Sequence, residues 1–214
     1  MNAELELCGE RIVLRPDRSL VWPRAQTLIV ADPHFGKSEA FRAAGLPVPG
    51  GTEGALARLD VALAETDTER LVVLGDFWHA RDGRTERVVS ELAAWRAGRA
   101  SLCVDLVRGN HDRAGPPPDG WGDWANGLIH RPFVFQHFPE PSDEGYVLAG
   151  HLHPSILLAG RGHQRLRLSC FWFGQRVGVL PAFGDFTGAA TVRILEGDRV
   201  FAVAGDAMVE VPRA

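Results

Sequence analysis

The chain has 214 residues, 45% hydrophobic and 23% charged, with a formal net charge of −4 at pH 7. This composition suits a globular fold with a sizeable core and excludes disordered and collagen-like chains. The acidic balance also excludes coating duplex nucleic acid through bulk basicity. No apolar run approaches the roughly 20 residues that cross a bilayer, so no membrane association is expected. Met1 to Arg15 places Glu4, Glu6 and Glu10 among its apolar residues and lacks a basic leader, so a cytoplasmic protein is expected. Cys8, Cys103 and Cys170 lie far apart and outside any C-x-x-C pair, which points away from a disulfide framework and from a zinc ribbon.

In chain order, Thr27 to Ala31 reads as a buried strand. Thr52 to Glu65 comes next as a helix with Leu56, Leu59 and Leu63 on one face, and Thr52 is placed to cap it. Leu71 to Leu74 is a second strand, Thr85 to Ala97 a second helix, and Leu102 to Val107 a third strand. This βαβαβ alternation predicts a largely parallel sheet with helices on its faces. Beyond the Pro116-Pro117-Pro118 loop, strand-like runs occur at 133–137, 146–149, 165–173, 175–180, 190–195 and 199–204. They predict a second, mostly antiparallel sheet packed on the first. With no repeat or linker in view, one α/β domain over residues 1–214 is expected.

The residues just past the strand ends carry the chemistry. The first strand ends in Asp32-Pro33-His34, the second in Gly75-Asp76-Phe77-Trp78-His79 and the third in Gly109-Asn110-His111-Asp112. Later strands add Gln136-His137 and Gly150-His151-Leu152-His153. Ligands of open α/β sheets bind just outside the carboxyl ends of the strands, so these loops are expected to converge on one crevice. Residues two apart in extended chain face the same way, so Asp32 with His34, and His151 with His153, are each placed to chelate. Imidazole, carboxylate and amide donors suit Mn, Fe or Zn, and six or seven of them suffice for two ions ~3.5–4 Å apart that share one carboxylate, with Asp76 the natural bridge.

These blocks resemble the calcineurin-like metallophosphoesterase superfamily, whose ordered signature D-x-H, GD, GNH[DE], H, GHxH is carried by Asp32/His34, Gly75-Asp76, Gly109 to Asp112, His137 and Gly150 to His153. Asp32 to Lys37, Phe41-Arg42, Gly45 to Gly50 and Gly75 to His79 are similar to its bacterial ligase-associated DNA damage response endonuclease branch (PdeM). The resemblance implies an α-β-β-α sandwich of two mixed sheets flanked by helices. It implies one ion on Asp32, His34, Asp76 and His153 and a second on Asp76, Asn110, His137 and His151. The activity implied is a Mn-dependent single-strand DNA endonuclease in DNA repair, in which two metals activate a hydroxide and His111, oriented by Asp112, is the general acid. DNA is then the partner, with a functional association with a DNA ligase and a helicase, and the protein is a monomer or homodimer. The alternatives are a nucleotide or small-molecule phosphodiesterase or phosphomonoesterase and, last, a non-catalytic scaffold, which a complete ligand set disfavours.

Other residues carry two readings each. His79 and Lys37 are expected at the substrate phosphate, against a loop cap and a surface lysine. Gly36-Lys37-Ser38 fails as a phosphate loop because Ala31 stands where that pattern needs glycine. Trp121 and Trp124 stack unpaired bases or pin their loop to the body. Arg161, Arg165, Arg167 and Arg176 form a strand-tracking stripe or a solvated sheet face. His130 and His163 fall outside every block and are read as solvated loop residues.

Overall fold

The computed structural model describes residues 1–46, 48, 50–159 and 165–212. Three antiparallel strands come first, β1 (Ala3–Leu7), β2 (Glu10–Leu14) and β3 (Leu20–Trp22). They lead into β4 (Thr27–Val30), β5 (Arg70–Leu74), β6 (Cys103–Val107) and the short β7 (Trp124–Ala125), which pair in parallel. Between β4 and β5 lie α1 (Lys37–Ala43) and α2 (Thr52–Ala64), and between β5 and β6 lies α3 (Glu86–Ala97). The seven strands form one mixed sheet in sequence order.

The period-2 alternation of β4 to β6 sorts their side chains between two cores. Leu28, Val30, Leu71, Val73 and Leu106 face outward and pack with Leu56 and Leu59 of α2 and Val88 and Leu92 of α3. Ile29, Val72, Leu74 and Val107 face inward onto the second sheet, meeting Phe133, Phe135, Leu148, Phe171 and Phe173. Each such fully buried side chain contributes roughly 1.5–3 kcal/mol, which makes the space between the sheets the main source of cohesion. Trp22 meets Phe133 edge to face at 4.9 Å across that space.

The second sheet is mixed as well. It comprises β8 (Leu128–His130), β9 (Phe133–Phe135), β10 (Tyr146–Ala149), β11 (Pro154–Ala159), β12 (Arg165–Phe173), β13 (Val177–Val179), β14 (Ala190–Thr191), β15 (Arg199–Ala204) and β16 (Ala207–Glu210). Its order is β14-β11-β12-β13-β10-β9-β8, with β15 and β16 added on β12. β10 runs parallel to both β9 and β13, so the carboxyl ends of β9 and β10 share an edge. An isolated parallel bridge from Ala31 to Ala182 ties the first sheet to the chain after β13.

The fold is thus the expected sandwich of two mixed sheets. Among the described residues the α-helices lie before β6. The outer face of the second sheet, at Ile156, Cys170, Val200 and Ala202, is covered by Val192, Ile194 and Val211. The run 190–195 is therefore strand only at Ala190–Thr191, because its later apolar residues serve as that cover. Thr52 is the first residue of α2 and does not cap it; its Oγ1 accepts the Gly36 N–H at 3.1 Å instead. Thr85 does cap α3, accepting from the Val88 N–H.

Candidate metal centre

The five loops converge. Asp32 and His34 come after β4, Asp76 after β5, Asn110 and His111 after β6, His137 after β9, and His151 and His153 after β10. Among the described residues three groups of possible ligands result; His34, His79 and His111 form one at the mouth, and the other two, the first and second clusters, hold the remaining motif residues. Asp32, His34 and His153 each offer a ligand atom within 4.8 Å of the others, and so do Asp76, His137 and His151. Asn110 joins the second, its Oδ1 3.0 Å from His137 Nε2.

The backbone reaches this arrangement through left-handed conformations. Among the described residues nine non-glycine residues have positive φ, and five belong to the site: Asp32 (50°), His34 (48°), Asp76 (46°), His151 (70°) and His153 (47°). Such conformations are uncommon outside glycine, although Asp and His tolerate them better than most residues, and they gather where surrounding structure holds them for function. They also correct the pairing expected from extended chain. His151 and His153 are not extended and diverge, one to each cluster, whereas Asp32 and His34 share one. The motif glycines are dictated by the closeness of neighbouring ligands. A Cβ on Gly109 would lie 2.2 Å from the Asp76 N and Oδ1, and one on Gly150 would lie 2.6 Å from Asp32 Oδ2.

The hydrogen bonds turn the lone pairs of two imidazoles toward carboxylate and amide oxygens. His137 Nδ1 donates to the Leu74 carbonyl at 3.0 Å, so its Nε2 carries a lone pair. That lone pair faces Asn110 Oδ1 at 3.0 Å, His151 Nδ1 at 3.1 Å and Asp76 Oδ1 at 3.5 Å. His153 Nδ1 donates to the Gly188 carbonyl at 3.0 Å, which turns its Nε2 toward His34 Nε2 at 3.3 Å and Asp32 Oδ2 at 3.6 Å. Asp32 is fully buried; its Oδ2 accepts the His151 N–H and its Oδ1 has no hydrogen-bond partner. The Nε2 lone pairs of His137 and His153 facing the Asn110, Asp76 and Asp32 oxygens, with both imidazoles fixed by carbonyls behind them, make the donor set of a divalent cation. The residues fit a pair of such ions.

Electrostatics agree. Burial pulls His34 down to about 2, helped by His153 and Lys37, and burial likewise lowers His137 and His153, so these rings are neutral and free to ligate. Burial, reinforced by Asp76, drives Asp32 well above the usual carboxylate range, a burden that bound cations would relieve.

His111 stands at the mouth of the site, with Nε2 3.9 Å from Asp76 Oδ2. Its orientation does not come from Asp112. The Asp112 carboxylate accepts the N–H groups of Trp78 and Gly109, at 2.9 and 2.7 Å, and so fixes the loops after β5 and β6. The His111 ring is held by the His79 carbonyl, which accepts from Nδ1 at 2.6 Å, and its backbone N–H donates to Asp76 Oδ1. The His79 ring stacks on that of His111 at 5.8 Å, and burial, then Lys37, lower it to about 4. Lys37 is half-buried beside His34, its pKa lowered by burial.

Residues 25–187 match the calcineurin-like phosphoesterase family. The chain belongs to it. No curated protein matches the chain. Among solved structures, the phosphoesterase is similar over 95% of its length to the crystal structure of Pseudomonas putida nuclease MPE, with 40% identity, 97% of that chain covered and a TM-score of 0.83. The similarity is consistent with the ligase-associated endonuclease branch. The phosphoesterase is accordingly a metal-dependent phosphoester hydrolase.

Other sequence expectations resolve here. Trp121 is buried, stacks on Trp95 at 5.2 Å and donates to the Leu92 carbonyl, so it pins its loop and offers no face to a base. Trp124 packs 6.0 Å from Phe77 against the same core. Arg167 is bonded to Ser155 and Thr191, and Arg176 to Asp143, which leaves no open arginine stripe among the described residues; Arg161 and His163 lie outside them, as do Pro47 and Pro49. His130 is half-buried in β8, beside Phe135. Sequence reasoning missed the carbonyls of Leu74, His79 and Gly188 as ligand supports, since any residue type can supply them. It also missed Phe138, whose ring lies 4.8 Å from that of His137 and 4.7 Å from that of His151.

Proposed function

We propose that the phosphoesterase is a Mn-dependent phosphodiesterase that cuts single-stranded DNA internally, acting in DNA repair alongside a DNA ligase and a helicase. The observation that carries this reading is the pair of carbonyl-anchored imidazoles, His137 and His153, whose Nε2 lone pairs face the Asn110, Asp76 and Asp32 oxygens, together with the similarity to a nuclease. Asp32, His34 and His153 would hold one ion and Asn110, His137 and His151 the other, with Asp76 shared. Two divalent cations there supply a water nucleophile at neutral pH and a positive field for the phosphate.

The remaining work falls to the chain. Lys37 and His79 face the phosphate, Lys37 as a point charge and His79 as a neutral hydrogen-bonding ring. His111 keeps one proton on Nδ1 through the His79 carbonyl, so as imidazolium it has the Nε2 proton to give to the departing oxygen. Asp112 is a positioning residue that holds the β5 and β6 loops in register.

The test uses closed circular single-stranded DNA with Mn, with other divalent ions and with chelator. Linearised circles with Mn, none with chelator, and loss of cutting in Asp76→Ala support the reading. Intact circles with rapid hydrolysis of a small phosphodiester would instead make the protein a nucleotide-directed enzyme.

A further inference from the structure

Beside the second cluster lies an open cleft of about 480 Å³, lined by Arg108, Asn110, Arg113, His137, Phe138 and Glu140 among others. Its arginines are unlike most others in the chain. Arg11, Arg15, Arg18, Arg24, Arg58, Arg70 and Arg99 each hold a carboxylate at 3.0 Å or closer. Arg108 and Arg113 are exposed and, among the described residues, neither side chain has a hydrogen bond or ion pair. Against the one Glu140 carboxylate they leave the cleft a net positive charge.

Phe138 is the second observation. It is 43% exposed although its ring is braced edge to face by the imidazoles of His137 and His151. Gln136 Nε2 donates to the carbonyls of Phe138 and Glu140, both at 2.7 Å, and so fixes the turn that presents the ring. The flat face of the ring is thereby held in a fixed orientation on the wall of the cleft, between the ligand imidazoles and the arginines. By contrast, the cavity beside the first cluster, at Pro33, His34 and Lys37, measures about 30 Å³, which is room for water rather than a nucleotide.

We propose that this cleft holds the DNA strand adjoining the scissile phosphate, with Arg108 and Arg113 on backbone phosphates and Phe138 stacked on an unpaired base. The proposal rests on the DNA reading above and gives it a physical basis for strand preference. A base offers its face to an aromatic ring only when it is not sandwiched in a duplex. Arginines placed on phosphates favour any sequence equally, so the cleft confers single-strand preference without sequence preference.

The experiment compares kcat/KM for a linear single-stranded oligonucleotide with that for bis(4-nitrophenyl) phosphate, both with Mn. The variants are Arg108→Ala/Arg113→Ala and Phe138→Leu, which keeps an apolar contact on the imidazoles and removes the flat face. The ratio of the two rates is expected to fall about tenfold or more in each variant. The salt dependence of oligonucleotide cleavage is expected to flatten by about 0.7 in log–log slope per arginine removed. An abasic nucleotide at the stacked position should cost the wild type what Phe138→Leu costs, and cost that variant nothing further. An unchanged ratio and salt slope, or additive losses from the abasic site and Phe138→Leu, overturn the assignment while the wild type still cuts DNA. A wild-type protein that hydrolyses the small diester and leaves the oligonucleotide intact overturns the DNA reading itself, and the cleft assignment with it.

Discussion

Burial sets the protonation of the individual ligands. A charge on His34 would sit in a nearly dry pocket beside His153 and Lys37, so the ring stays neutral far below pH 6.5. Asp112 is the clearest non-ligand case. Burial pushes its carboxyl up from 3.8 to about 6, against the opposing pull of the Trp78 and Gly109 N–H groups. Between those pH values the folded protein holds a proton that the unfolded chain has released. The contribution of Asp112 to stability is therefore full below pH 3.8 and is lost as pH rises to about 6. Asp112→Asn cannot titrate, so the unfolding free energy of wild type minus variant should fall by up to about 3 kcal/mol from about pH 4 to about pH 6.5 in urea titrations. A pH-independent difference would show that Asp112 keeps an ordinary carboxylate pKa. At His111 the chemistry makes a different demand. His111→Ala should slow DNA cleavage by about 10²–10⁴-fold and slow a 4-nitrophenyl diester much less, because nitrophenolate leaves without a proton. Equal losses on both substrates would remove its role as proton donor.

Among the elements, the strands that carry the ligands were the most legible. β4 and β5 are largely buried and read as nearly continuous apolar runs, and the polar residues just beyond them stand out for that reason. α3 was legible too, through its apolar spacing and Thr85. Replacing Thr85 by Ala removes the acceptor for the Val88 N–H and should cost about 1 kcal/mol in equilibrium unfolding with metal binding unchanged; no loss would mean that the cap is redundant. β1 to β3 carry little signal although Leu5, Ile12, Leu14 and Leu20 point into the core, because β1 and β2 are short and interrupted by charges and β3 is only three residues long. α1 is only seven residues long and takes its place from the loops around the site. The left-handed turns at Asp32, His34, Asp76, His151 and His153 could not be read from local propensity, since tertiary structure imposes them. For that reason the grouping of ligands into two clusters came from the family resemblance rather than from strand periodicity, which mis-paired His151 with His153.

At the scale of the molecule, two sheets place the carboxyl ends of β4, β5, β6, β9 and β10 at one crevice, and the apolar layer between them holds acceptor groups close despite mutual repulsion. Bound cations would convert that repulsion into attraction, so metal should stabilise the fold by mass action. Thermal unfolding is expected to shift upward when Mn is returned to chelator-stripped protein, and an unchanged midpoint would mean that the clusters do not take the ion. The most direct measurement is metal stoichiometry. Stripped wild-type protein, re-equilibrated with Mn and freed of excess ion, should retain two ions per chain by elemental analysis, and His153→Ala should retain about one. Wild-type protein that retains none, or a single ion that His153→Ala leaves in place, would contradict a paired centre.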